Sequence, residues 1–391
     1  MDVERARFLV SPAAAEILDV PPQPEFLSLP LHQRLARLRE SFAPEDASAL
    51  SEQIDLQSRA AERFGPAVHG WRFTREGLEM ATHPLVAERR ARRFAELALP
   101  VADLNCGIGG DLAAFAAHCG RVVGVERDAA PAILAAHNAG CGATVVRGDA
   151  LRPPVALERT AVMLDPSRRA GPLRRFDPAA FTPPWDACLD VASEAAAGAL
   201  KGPPGIADAA IPAEAEVEFV QLGRSLREAA LYLGRGARPG LRRAVLLPGG
   251  DELSNEEPES DGAVTPIGGV LYDPASCVTR AGLVRQLAHR LGASLIDPRL
   301  GYLSGASFVE SPFADAFAVA EVIPFSVARL KRRLREAGWA PREIRRRAFP
   351  VEPDDLRRQI GVVEGEAVTL LCMTVASKRL VVVGRLLKPG R

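Results

Sequence analysis

Residues 100–111 read PVADLNCGIGGD, and this stretch decides the fold. Val101, Ala102 and Leu104 predict a short apolar strand, and DLAAFAAHC (111–119) predicts the helix that follows it. A strand that turns at once into a helix needs backbone angles that side chains resist. A ligand approaching such a turn also needs no Cβ in its way, and Gly107, Gly109 and Gly110 answer both demands. The pattern matches a dinucleotide fold poorly, because Leu112 stands where the third glycine of Gly-x-Gly-x-x-Gly belongs.

Carboxylates recur at the ends of successive predicted strands. Asp103 lies at the end of the first, where it suits a cofactor with a cationic amino-acid tail, directly or by holding the loop. Glu126 ends RVVGVE (121–126), about 20 residues beyond the glycines, a distance at which it can accept from ribose hydroxyls. Asp149 ends VVRGD (145–149), where an adenine amino group could be bound. Any one of these acids alone reads equally well as a helix cap or a surface charge. In order and at strand tips they mark one edge of a parallel sheet, the edge at which open α/β folds bind ligands. Asn105, Cys106, Arg127 and Ala150 adjoin these positions and complete the expected cofactor set.

Outward from the turn, the chain falls into three expected zones: residues 1–80, 81–263 and 264–391. In the first, LHQRLARLRESF (31–42) and ALSEQIDLQSRAAERF (49–64) carry helical spacing, and Gly65-Pro66 ends the run. In the second, short apolar strands alternate with Ala-rich helices, which predicts βαβ units and a doubly wound, Rossmann-like sheet. Residues 251–263, DELSNEEPESDGA, read as a solvated linker or loop. In the third, helices at AGLVRQLAHRLG (281–292), SVARLKRRLREAG (326–338) and PDDLRRQIG (353–361) accompany strands, two of them long, C-terminal and antiparallel. This is a small α/β domain.

Bulk properties exclude several classes. The 391 residues are 47% hydrophobic and 25% charged, with 49 basic and 49 acidic side chains, so the chain is globular and its net field favours no partner. No run approaches the roughly 18 apolar residues of a membrane helix. The opening MDVERARFLV has no secretory pattern, and the six cysteines form no C-x-x-C pair. A cytoplasmic protein without a metal site is expected.

The sequence resembles the class I, Rossmann-like methyltransferases, which use S-adenosyl-L-methionine. DLNCGIGGDLAAFA is similar to their first motif, GVERD to their acidic second-strand motif and RGDAL to their third; cap-trimethylguanosine synthases have a similar C-G-x-G-G turn. More closely, the chain resembles a bacterial methyltransferase family with an N-terminal helical region and a C-terminal THUMP-like domain. TREGLEMAT (74–82), VAERRARRF (86–94), DPSRR (165–169), LYDPASCVTRAGLV (271–284) and VIPFSVARLKRRLR (322–335) carry that resemblance. It covers residues from about 70 to 391.

The fourth predicted strand, TAVMLDP, delivers Asp165 and Pro166. In amino-methylating relatives N-P-P-Y or D-P-P stands here and accepts a hydrogen bond from a target amine. Asp165 is therefore the expected catalytic residue, on a turn that Pro166 stiffens. No aromatic follows Pro166. Arg168 and Arg169 are candidates to grip a phosphate, or else pair with acids or stay solvated, and Trp185, in PPW, is a candidate platform for the target or else a core side chain. Residues 321–360 hold eleven basic and six acidic side chains, a possible RNA-backbone surface or else a solvated amphipathic face. THUMP domains are associated with RNA binding, so the resemblance implies RNA (tRNA or rRNA) as the partner and base methylation as the reaction. Methylation of a protein or small molecule, or cofactor binding without catalysis in an assembly role, are the alternatives.

Overall fold

The computed structural model describes residues 1–21, 24–168, 180–388 and 390, without the side chains of Arg168 and Lys388. These divide into two compact units, Met1–Val217 with Ala229–Gly240, and Glu218–Glu228 with Leu241–Arg391.

The first unit opens with helices α1 (Val3–Leu9), α2 (Pro12–Leu18), α3 (Pro24–Ser28), α4 (Leu31–Leu38) and α5 (Pro44–Phe64). Asp2 and Ser11 cap α1 and α2 by accepting from the amides of Arg5 and Ala14. Pro44 starts α5, Glu45 and Asp46 sit at the positive end of its dipole, and Gly65 ends it at φ 71°. The apolar faces of these helices form two clusters. Leu9, Leu18, Leu50 and Ile54 make one. Leu56, Phe64, Phe73 and Leu78 make the other together with Ile108, Ala130 and Leu134, so the N-terminal helices pack onto the glycine turn itself.

After α6 (Arg75–Met80) and α7 (Pro84–Ala95), strands and helices alternate: β1 (Val101–Asp103), α8 (Gly110–His118), β2 (Val122–Glu126), α9 (Ala129–Ala139), β3 (Thr144–Arg147) and β4 (Ala161–Leu164). A two-residue pair follows, β5 (Ser167–Arg168) and β6 (Phe181–Thr182), then α10 (Trp185–Glu194) and β7 (Ala197–Gly202). The strands lie side by side in the order β3-β2-β1-β4-β7, all parallel. The chain steps from β1 outward to β3 and returns on the other side of β1 as β4. Strand order reverses there, and the carboxyl ends of β1 and β4 open a crevice. The fold is α/β with a parallel sheet, as the alternation of elements predicts. Beyond it come β8 (Glu216–Leu222) and β9 (Ser225–Gly234), whose residues Ala229 to Gly234 run antiparallel to β7. Buried Glu216 accepts from both terminal nitrogens of Arg93 on α7, at 2.6 and 2.8 Å, and from the Arg238 amide at 2.9 Å. The Arg93 guanidinium lies 3.8 Å over the Tyr232 ring. A buried charge is tolerable when paired and hydrogen-bonded in this way.

In the second unit β10 (Arg242–Leu247) pairs antiparallel with β11 (Asp251–Ser254). The loop expected over 251–263 is thus corrected for its first four residues: Leu253 is buried opposite Ala244 and pulls an acidic segment into the ladder. Next come β12 (Val270–Pro274), α11 (Ser276–Ala281), α12 (Val284–Leu291), β13 (Ser294–Leu295), β14 (Leu303–Gly305) and β15 (Ala314–Pro324). The chain ends with α13 (Val327–Glu336), β16 (Trp339–Arg347), α14 (Pro353–Ile360), β17 (Glu366–Val375) and β18 (Lys378–Lys388). The sheet order is β13-β14-β12-β15-β18-β17-β16. β17 and β18 are antiparallel neighbours, as read from the sequence, while β16 joins β17 in parallel. Leu330 and Leu334 of α13 and Leu356 and Ile360 of α14 complete one core with Val368, Leu370, Val381 and Val383 of the sheet.

The contact of α10 with β7 is tight enough to test. A Cβ on Gly198 would lie 2.3 Å from the Ala192 carbonyl oxygen. Gly198→Ala is expected to destabilise the chain by about 1–3 kcal/mol, seen as a lower urea midpoint. An unchanged midpoint would contradict this packing.

Candidate active site

The turn after β1 is left-handed at Gly107 (φ 56°) and at Gly109 (φ 92°), the N-cap of α8. A Cβ on Gly109 would come within 3.2 Å of the Ala135 backbone in α9, so glycine serves both conformation and close approach. At Gly107 a Cβ would meet nothing within 4 Å; the space before the turn is open to a ligand. The Gly107 amide donates to Glu126 Oε2 at 2.9 Å and the Asp128 amide to Oε1 at 2.9 Å. Each Glu126 oxygen thus holds one backbone bond and keeps a further lone pair. From the other side, Asn138 Nδ2 on α9 donates to the Ile108 carbonyl at 2.8 Å and to the Arg72 carbonyl at 2.9 Å.

A cavity of about 300 Å³ lies over this turn, large enough for a nucleoside-sized guest. Asp103, Asn105, Cys106, Gly107, Gly110, Glu126, Arg127, Asp149, Ala150 and Asp165 all line it, so the structure gathers these expected residues into one place. Gly109 stands behind the wall, and Pro166 sits between the lining residues Asp165 and Ser167. One wall was not anticipated from the sequence: Thr74, Gly77, Met80, Ala81 and Thr82, on and around α6, face the cavity. The wall packs closely on the turn: a Cβ on Gly77 would press to 2.7 Å of Ile108 Cγ2.

Trp185 is placed elsewhere. It is 1% exposed, packs against Phe181 with ring centroids 5.6 Å apart, and is not among the lining residues. Its ring closes the core between α10 and β7, which corrects its reading as a platform for the target. Arg169 lies outside the described residues, and of Arg168 only the backbone, in β5, is described.

Charge is concentrated at the strand tips. Burial pushes the Asp103 carboxyl well above its ordinary value, and the nearby carboxylates of Asp111, Asp165 and Glu126 add to this against the Arg90 guanidinium. Burial likewise raises the Cys106 thiol, with Asp103 and Glu126 pushing the same way. A neutral thiol is a weak nucleophile, so Cys106 serves as a wall. Asn105 clasps the backbone of Asp165: its Nδ2 donates to the Asp165 carbonyl, and its Oδ1 accepts from the Asp165 amide at 2.8 Å. Lys201, at the end of β7, was also missed from the sequence. Its Nζ donates to Asp165 Oδ2 at 2.5 Å and to Thr82 Oγ1 at 2.9 Å. Thr82 in turn donates to Asp111 Oδ2 at 2.6 Å, and Asp111 pairs with buried Arg90.

A parallel sheet that reverses between β1 and β4, with a glycine turn and acidic strand tips over a cavity, is the architecture of enzymes that bind an adenosine-bearing cofactor. Comparison with known proteins agrees. Two proteins of Mycobacterium tuberculosis, from strains CDC 1551 and H37Rv, are each named an uncharacterized S-adenosylmethionine-dependent methyltransferase. Each is 35% identical to this chain over 323 residues, covering 80% of it and 88% of the relative. A crystal structure from Porphyromonas gingivalis W83, assigned as a methyltransferase, superposes with a TM-score of 0.75 at 22% identity, covering 95% of this chain and 98% of that one. Residues 314–385 match a THUMP domain-like family. The chain belongs to the S-adenosylmethionine-dependent methyltransferases that carry a C-terminal THUMP-like domain. S-adenosylmethionine is its cofactor, and the open space before Gly107 fits it. Among the described residues no helix is long and apolar enough to cross a membrane.

The raised Asp103 carboxyl has a consequence for stability. Its folded value lies above the ordinary 3.8, so the native state holds the proton more tightly than the unfolded chain. Stability is then unaffected by this group in acid below 3.8 and falls as pH rises toward the raised value. Asp103→Asn removes that slope. Urea unfolding across this range is expected to show the variant gaining on the wild type as pH rises, and parallel curves would contradict the burial argument.

Proposed function

We propose that this enzyme methylates a nitrogen of a base in RNA. In this reading Asp103, Asn105, Cys106, Gly107, Gly109, Gly110, Glu126, Arg127, Asp149 and Ala150 hold the cofactor, and Asp165 and Pro166 face the acceptor. The observation that carries it is the Asp165 carboxylate on the cavity wall, with its backbone fixed by Asn105. An acceptor at the end of β4 suits an amine, which needs its N–H oriented and its proton removed. The bound cofactor supplies a methyl group on a sulfonium, whose S–C electron pair stays with sulfur. The acceptor nitrogen's lone pair forms the new N–C bond, and its surplus proton leaves toward Asp165 or water. Positioning of the two reactants contributes most of the acceleration.

The RNA part rests on the THUMP domain-like match and on α13. Many basic side chains of 321–360 are neutralised within the second unit: Arg333 by Glu321, Arg345 and Arg347 by Asp273, Arg346 by Glu352 and Arg358 by Asp355. Arg329 and Arg335 are exposed, and neither has an acidic partner among the described residues, which suits a phosphate backbone. One observation favours the second reading, a protein or small-molecule amine: among the described residues no aromatic ring lines the cavity to stack on a base.

Labelled-methyl transfer to total RNA, total protein and small metabolites separates the two. Label is expected in RNA, and label confined to the other fractions would refute the RNA assignment. Asp165→Ala is expected to lower transfer by about 100-fold or more while cofactor affinity, by calorimetry, stays close to wild type. Charge reversal at Arg329 and Arg335 together is expected to weaken a gel shift with total tRNA and to flatten its salt dependence; an unaltered shift would exclude α13 as the contact.

A further inference from the structure

We propose that Lys201 is a positioning residue for methyl transfer: its ammonium holds Asp165 by Oδ2, so that Oδ1 is the oxygen offered to the acceptor N–H. The inference rests on the reading of Asp165 as the acceptor-facing residue. Nothing local in the sequence marks Lys201; the sheet does. β4 and β7 are parallel, with Leu164 opposite Leu200, so the next positions, Asp165 just past β4 and Lys201 still within β7, lie side by side.

The hydrogen bonds fix the direction of every proton. Thr82 has one hydroxyl proton and gives it to Asp111. Its oxygen can therefore only accept from Lys201, which also donates to Asp165. Arg90 pairs with Asp111 behind it. The result is a chain of alternating charge, Arg90–Asp111–Thr82–Lys201–Asp165, in which the lysine can neither rotate away nor turn its nitrogen into an acceptor without breaking a bond. Asp165 and Thr82 line the cavity, whereas Lys201 is not among the lining residues, so it acts through Asp165 and not on the acceptor itself.

Among the described residues, carboxylates crowd Asp165. Asp103 from β1 repels it, and Asp111 from α8 lies one hydroxyl beyond Lys201. Lys201 from β7 is the cation that bonds Asp165 directly. Without the bond to its ammonium, the Asp165 carboxylate would be free to turn, and Oδ1 would lose its fixed direction. The side chains of Lys201 and Asp165 are 17% and 29% exposed, so solvent screens the pair only in part.

The test uses the full chain with Lys201→Met, Lys201→Gln and Lys201→Arg. Crystal structures of the wild type and the variants record the orientation of the Asp165 carboxylate. The carboxylate is expected to turn from its wild-type rotamer in the Met and Gln variants and to return to it in Lys201→Arg. The Gln variant keeps a donor of similar length, so the measurement stands if the Met variant does not fold. In single-turnover transfer of labelled methyl to total RNA, both neutral variants are expected to lose about tenfold or more in rate with cofactor affinity within about twofold, and Lys201→Arg to recover most of the rate. An Asp165 carboxylate that keeps its wild-type rotamer in the neutral variants, or a wild-type transfer rate in either, would overturn the role of Lys201. If the wild type itself transfers nothing to RNA, the RNA reading falls, and the Asp165 rotamer still decides the case for Lys201.

Discussion

The hydrogen bond from the Gly107 amide to the Glu126 carboxylate joins the turn after β1 to the tip of β2, and the rest of the site is arranged around it. The turn is left-handed at two glycines, a conformation that costs little only without side chains. Glu126 fixes the turn from one side and Asn138 from the other, through the Ile108 carbonyl. With the turn fixed, α8 starts at Gly110 and Ile108 faces inward, where the N-terminal helices pack on it. A region that begins as separate helices in the sequence thereby becomes a wall of the cavity.

The parts of this arrangement that were legible in the sequence are those with short-range signatures. The glycine turn, Glu126 and Asp149 announce themselves because strand, bend and helix follow one another within a few residues. What escaped depends on residues far apart in the chain. Lys201 meets Thr82 across 119 positions, and no periodicity records such a meeting. Trp185 reads from the sequence as either a platform or a core side chain, because exposure is settled by what packs around α10, and the ring is buried. The basic run of 321–360 looked more strongly charged than it is. Asp273 lies on a distant strand, β12, and draws both Arg345 and Arg347 into ion pairs. Residues 251–254 were read by their acids, while Leu253 alone settles their place in a sheet.

The cavity is crowded with acid. Asp103, Asp111, Glu126, Asp149 and Asp165 line it, and Arg90 and Lys201 neutralise only part of that charge from behind. Such a cleft attracts a guest that brings positive charge, and S-adenosylmethionine carries both a sulfonium and an ammonium. The second unit balances its charges differently, through local arginine–carboxylate pairs that leave a few cations on α13 facing solvent.

The two-sided grip of Asn105 on Asp165 limits how the enzyme can be rebuilt. One amide side chain both gives to and takes from the backbone of a loop 60 residues away. Aspartate has no proton to give, and serine is too short to do both. A β4 loop borrowed from another enzyme would arrive without its anchor unless the β1 turn travelled with it. The β1 turn and the β4 loop are therefore heritable only as a pair, and exchange between homologues at points between residues 105 and 165 would separate parts that were shaped for each other.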